Sequence, residues 1–185
     1  MKGVIVTERI KEIWVTFGGV LDVPIIRTTF DLFHKAYVDK VETIHILMHS
    51  PGGGINEGVG LYNYFRSLPM EIVAYNAGTV ASAAVTAYLG ATKRIVAPTG
   101  AFLVHKTVVP VPNVGSAARL QAAVDSIAID DERTEAILRE HINLTDSQWT
   151  VHGIADLTLS ASESIQCGLA HEIGYFAPAG PLFNI

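Results

Sequence analysis

The sequence predicts an α/β domain built on a largely parallel sheet. Three observations carry that expectation. Strand-like segments alternate with helix-like ones along the chain. The best of the strands, Thr43–Met48, is mostly apolar, as where both faces of a sheet are covered. The chain has 185 residues, which fits one unit over its whole length on the usual scale of roughly 100–200 residues per domain.

Taken in order, Glu12–Phe17 (EIWVTF) reads as the first strand, rich in β-branched and aromatic residues. Asp22 and Pro24 mark a helix start, and Ile26, Phe30, Phe33 and Tyr37 then recur at helical spacing. Thr43–Met48 follows and breaks at Ser50-Pro51-Gly52-Gly53-Gly54, ahead of a helix over about 56–67. Glu71–Tyr75 is the third strand, with a turn expected at Asn76-Ala77-Gly78. Ala81–Leu89 reads as a helix of small residues, and Arg94–Ala97 and Ala101–His105 as two short strands around Pro98-Thr99-Gly100. Two prolines and a glycine make Val108–Gly115 extended rather than helical. Ser116–His141 is the longest helical stretch. Ser160-Ala161-Ser162-Glu163 has the capping-box form and Gly168 the place of a C′ glycine, so a short helix is expected over Ala161–Cys167. Leu169–Ile173 then returns to the sheet, and an apolar tail from Phe176 to Ile185 is expected to dock on its own or a neighbouring subunit.

Composition narrows the function. Thirteen basic residues against eighteen acidic ones give a net charge of −5, which argues against nucleic-acid binding, since phosphate neutralisation needs a basic stripe. Apolar residues make up 49% and charged residues only 17%, which excludes disorder and fits a large buried subunit interface. Cys167 stands alone, so neither an internal disulfide nor a cysteine-rich metal site is expected. No run of about 18 apolar residues suggests a spanning helix, and charges through Met1–Phe17 leave no signal-peptide core. The expected compartment is the cytoplasm, with no membrane contact.

Two loops at the carboxyl ends of strands carry the chemistry, where open α/β sheets collect their ligands. The glycines after Ser50 let backbone N–H groups approach a phosphate or an oxyanion, or simply supply the dihedrals of a turn. The segment lacks the Gly-Lys-Ser/Thr of a P-loop. In Ala77–Ala84 a strand, a tight turn and Ser82 at the start of a helix resemble the geometry of a nucleophile elbow, without its G-x-S-x-G pattern. There the N–H of Ala83 is a candidate oxyanion donor; the plainer alternative makes Ser82 a small packing residue. His105 ends a strand beside these loops and is the candidate base. Of the other histidines, His45 alternates into a strand, while His34, His141, His152 and His171 have no glycine-rich neighbour, and none forms a metal motif. A third member is open among Asp125, Asp130, Asp131, Asp146, Asp156 and Glu163.

In order, IHILMHSPGG, AYNAGTVASAAVTAYLGATKRIVAPTGAFLVHK and ADLTLSASESIQCGLAHEIG resemble the ClpP family, the proteolytic subunits of the Clp protease, over about residues 11–173. The resemblance implies the ClpP/crotonase-like fold, a repeated β-β-α superhelix with a largely parallel sheet and a protruding handle helix, here Ser116–His141. It implies a serine endopeptidase acting on peptides or unfolded proteins, with Ser82 as nucleophile, His105 as general base, Asp156 as third member, and Gly52 and Ala83 as oxyanion donors. It implies no cofactor and no metal. The partners implied are further copies of the chain, in heptameric rings stacked as a tetradecamer, and an AAA+ ATPase. The chain begins almost at its first strand, so a long N-terminal axial segment is not expected. Ala83 stands where the family usually has methionine, Lys106 where it has glutamine, and Pro110 and Pro112 interrupt a usually glycine-rich strand. Lys106 is similar to the lysine of signal-peptide peptidases, which use a Ser–Lys dyad. Two other readings remain: a non-catalytic ring subunit, and a crotonase-type acyl-CoA enzyme sharing the paired N–H oxyanion hole.

Overall fold

The computed structural model describes residues 10–108 and 116–185. The extended segment expected after Val108, with Pro110 and Pro112, lies outside the described residues. β1 (Glu12–Gly18), β2 (Thr43–Ser50) and β3 (Glu71–Ala81) pair in parallel and form the centre of the sheet. β3 is the hub. Its first half, Val73–Asn76, pairs with β4 (Lys93–Val96), and its second half, Thr79–Ala81, with β5 (Ala101–Val104). The turn expected at 76–78 is therefore a change of partner within one strand. Fully buried Asn76 makes the change sustainable: its Nδ2 donates to the carbonyl of Ala101 (2.8 Å), and its Oδ1 accepts from the N–H of Gly78 (3.0 Å).

β6 (Leu157–Ser160) runs antiparallel to β5, β7 (Glu172–Ile173) pairs with β4, and β8 (Leu182–Asn184) adds to the free edge of β1. The pattern over Leu169–Ile173 thus yields only a two-residue strand, and the tail docks on its own sheet. One sheet face is dry, with Ile13, Val15, Ile44, Ile46, Met48, Ile72 and Ala74 buried. The other is only partly covered. Trp14 and His45 stack there at 4.7 Å, and Tyr75 meets Phe176 of the tail.

The helices are α1 (Val23–Val38), α2 (Ile55–Ser67), α3 (Ala83–Leu89), α4 (Ala117–His141), α5 (Asp146–Ile154) and α6 (Ala161–Gln166). Asp22 caps α1 by accepting the N–H of Ile25 (3.0 Å), as Asp22 and Pro24 announced. All seven residues of α3 are buried, the small Ala83, Ala84 and Ala87 together with the bulky Tyr88 and Leu89. A Cβ on Gly58 of α2 would lie 2.4 Å from the carbonyl oxygen of Ala83. Gly60, two places further along α2 on another side, has nothing within 4 Å of such a Cβ. Gly60→Ala is therefore expected to stabilise the chain by about 0.5–1 kcal/mol, read as a rise in Tm of about 1–4 °C.

α4 stands off the body as a handle: of its 25 residues only Ile137 and Leu138 are buried. Its lower part is bolted to the loop after β5, where Lys106 Nζ pairs with Glu135 (2.5 Å) and the N–H of Thr107 donates to Asp131 (2.7 Å). Arg133 ties the same helix to Asn56 at the start of α2 (2.6 Å). No helix among the described residues is long and apolar enough to cross a membrane.

Candidate active site

Ser82 occupies the junction of β3 and α3 with φ 54° and ψ −131°. For a residue with a side chain this positive φ is strained, at a cost of order 1–3 kcal/mol, and such strain collects at functional sites. The surroundings impose it. The N–H of Ser82 donates to the carbonyl of Leu103 (2.8 Å), fixing the turn to β5, while Val85 closes the first turn of α3 onto the Ser82 carbonyl (2.9 Å). Ser82 Oγ makes no hydrogen bond among the described residues.

The β3–β5 register pairs Ala81 with Leu103, so His105 follows two residues beyond the partner of the residue preceding Ser82. Ser82 and His105 line one cavity of about 60 Å³. Its apolar wall includes Ile55, Val85, Val104 and Leu138. The antiparallel β5–β6 register pairs Val104 with Leu157. Continued by one residue, it sets Asp156 opposite His105, and the two line a second cavity of about 190 Å³. The fold thus brings Ser82, His105 and Asp156 into one neighbourhood from three separate strand ends. No hydrogen bond links the three among the described residues. His105 Nδ1 bonds the carbonyl oxygen of Lys106 (2.6 Å), and Asp156 is exposed with no hydrogen bond or ion pair among the described residues.

The oxyanion loop needs a correction. The N–H of Gly52 donates to Ser50 Oγ (3.1 Å) and is not available as an oxyanion donor. Gly52 serves the site sterically, because a Cβ there would lie 2.6 Å from Ser82 Cβ. The next glycine, Gly53, lines the cavity together with Ala83. Among the described residues neither the Gly53 nor the Ala83 N–H donates to a protein acceptor. Gly53 is held open by Leu21, whose N–H donates to the Gly52 carbonyl (2.7 Å) and whose carbonyl accepts the N–H of Gly54 (2.9 Å). A run of three glycines after Pro51 contains no signal that selects among them, so the sequence left the register to the fold.

Lys106 also borders the cavity, but its ammonium is committed to Glu135. That carboxyl is held below its ordinary range first by Lys106 and then by Arg139. Held there by Glu135, Lys106 Nζ makes no hydrogen bond to Ser82 among the described residues. Of the remaining aspartates, Asp131 bonds Thr107, Asp130 pairs with Arg133 and Asp125 accepts from Gln121. Glu163 closes the capping box of α6, accepting the Ser160 N–H at 2.8 Å.

Sequence reasoning passed over α5 and His152 within it. The box Thr145-Asp146-Ser147-Gln148 announces that helix, and both of its reciprocal bonds form. His152 itself carries no spacing signal; it is known only from its burial beside His105.

Comparison with known proteins supports one family. The Clp protease family model matches residues 6–175. The ATP-dependent Clp protease proteolytic subunit 2 of Pseudomonas aeruginosa is 26% identical over 168 residues, covering 89% of this chain and 81% of that protein. The subunit of the same name from Corynebacterium glutamicum is 26% identical over 149 residues, covering 79% and 72%. In fold, ClpP1 from Listeria monocytogenes, solved as a point mutant, superposes with a TM-score of 0.77 at 20% identity, covering 88% of this chain and 91% of that one. With the mixed α/β sheet and the handle helix already described, the match places this chain in the Clp protease family, among its ClpP-type proteolytic subunits.

Proposed function

We propose that the chain is a serine endopeptidase that hydrolyses peptides or unfolded proteins through Ser82, His105 and Asp156. The observation that carries this reading is the strained Ser82 at the head of a buried helix, facing the same cavity as His105 and two unbonded N–H groups. Ser82 Oγ attacks the scissile carbonyl carbon while His105 Nε2 takes its proton. The resulting oxyanion is held by the N–H groups of Gly53, in place of Gly52, and Ala83. His105 returns the proton to the leaving amine, the C–N bond breaks, and an acyl-enzyme remains. Water, deprotonated by His105, then releases the acid product. Asp156 completes the relay when the His105 ring turns, exchanging its Nδ1 bond with Lys106 for one with the carboxylate. Catalytic hydrogen bonds commonly tighten only when substrate is bound.

The cavity wall of Ile55, Val85, Val104 and Leu138 selects an aliphatic side chain before the cleaved bond. Short fluorogenic peptides with leucine or alanine there are expected to be cleaved at least about 10-fold faster than those with aspartate or lysine. No turnover of any peptide by the assembled protein would overturn the reading. A homo-oligomer of heptameric rings, stacked through α4, fits the exposed Leu120 and Val124 on that helix. An AAA+ ATPase partner rests on the relatives' names, which call them ATP-dependent. The absence of hydrogen bonds linking Ser82, His105 and Asp156 among the described residues favours one second reading, an inert ring subunit, and covalent labelling of Ser82 separates the two.

A further inference from the structure

His152, in the last turn of α5, is 3% exposed, yet neither of its ring nitrogens has a hydrogen-bond partner. Burying an unsatisfied polar group is destabilising, and such groups in native proteins call for an explanation. The ring is held in place by Trp149, stacked on it at 5.6 Å, while Arg139 lies over the Trp149 ring at 4.0 Å. His152 borders the 190 Å³ cavity that His105, Lys106, Val108, Ala155 and Asp156 also line. Three complementary groups therefore share one space: an imidazole with two idle nitrogens, a carboxylate with no partner, and a histidine whose Nδ1 bonds only the carbonyl next to it.

We propose that His152 is a positioning residue for the His105–Asp156 pair, donating a ring N–H to one oxygen of the Asp156 carboxylate while His105 Nδ1–H takes the other. This inference rests on the peptidase reading above. A carboxylate accepts at both oxygens, so the second imidazole satisfies itself and fixes the carboxylate where His105 needs it. The charged groups acting on His152 come from two elements, His105 and Lys106 at the end of β5 and Asp131 and Glu135 on α4, while Asp156 ahead of β6 borders the same cavity. Burial first, then Lys106, holds its pKa below the ordinary histidine range; Glu135 and Asp131 act the other way without prevailing. At neutral pH it is a neutral donor. On acidification its imidazolium monopolises the carboxylate, so both imidazoles must be neutral for turnover.

The test uses the full assembled chain, a fluorogenic peptide and fluorophosphonate labelling, with His152→Phe and His152→Gln. His152→Phe keeps the ring and loses the donor, and kcat is expected to fall about 10-fold or more with KM nearly unchanged. His152→Gln keeps a donor and recovers most of that loss. The acid limb of kcat/KM is expected to approach a two-proton slope in the wild type and a one-proton slope in both variants, so the glutamine variant carries the test alone if the phenylalanine variant does not assemble. Wild-type kcat and pH profile in His152→Phe would overturn the inference. Equal losses in both variants with a lowered Tm would overturn it too, by making His152 a packing residue. Wild-type protein that neither labels nor cleaves would overturn the peptidase reading itself, and this inference with it.

Discussion

Ser82→Ala is expected to lower peptide hydrolysis by roughly 10⁴-fold or more while leaving assembly and Tm where they are. The separation of the two effects follows from the geometry. Ser82 Oγ makes no hydrogen bond among the described residues, so its removal breaks no native contact. The bond that shapes the turn is from the Ser82 backbone N–H to Leu103, and alanine keeps it. Alanine also carries the same burden at φ 54°, so no strain is released. Residual turnover reports the oxyanion donors alone. Assay of the variant beside a thermal melt checks both halves, and activity within 10-fold of wild type, a deliberately loose bound of about 1.4 kcal/mol in barrier, would remove Ser82 as nucleophile.

Gly53→Ala is expected to damage both stability and rate. Gly53 has φ +147°, and a Cβ there would sit 2.3 Å from the Leu21 carbonyl oxygen and 2.7 Å from its nitrogen. Both are backbone atoms of a residue only 1% exposed, held by two hydrogen bonds to the flanking glycines, so neither yields cheaply. A cost of about 2–4 kcal/mol follows. The loop that escapes the clash also withdraws the Gly53 N–H from the cavity, worth roughly 10²–10³ in kcat for one oxyanion donor. Melting and steady-state kinetics on the purified variant read the two effects. Wild-type behaviour in both would show that Gly53 neither packs on Leu21 nor serves the site. The opposite response expected of Gly60→Ala, which meets open space, makes the pair a control on glycine substitution as such.

Much of this fold was legible because local chemistry and tertiary structure agree. Asp22 with Pro24, and Ser160 with Glu163, mark helix starts that the fold keeps. The apolar run 43–48 is a central strand. Where the reading missed, the deciding interaction was distant. Asn76 looks like a turn residue until Ala101, 25 positions on, accepts its amide and lets β3 continue. β6 and β8 are short strands, and only their partners β5 and β1 define them. Ser82 and His105 stood out at strand ends, whereas spacing left Asp156 one of several acids and only the family resemblance named it; the β5–β6 register sets it opposite His105. The choice of Gly53 over Gly52 depends on which N–H Ser50 occupies, and His152 on a cavity that no spacing in the sequence describes.

The central claim, that Ser82 is an activated nucleophile, is tested most directly by intact mass after treatment with a fluorophosphonate. Wild-type protein is predicted to gain one adduct per subunit, and Ser82→Ala none. An assembled wild type that gains no adduct, or a Ser82→Ala variant that still gains one, would contradict it.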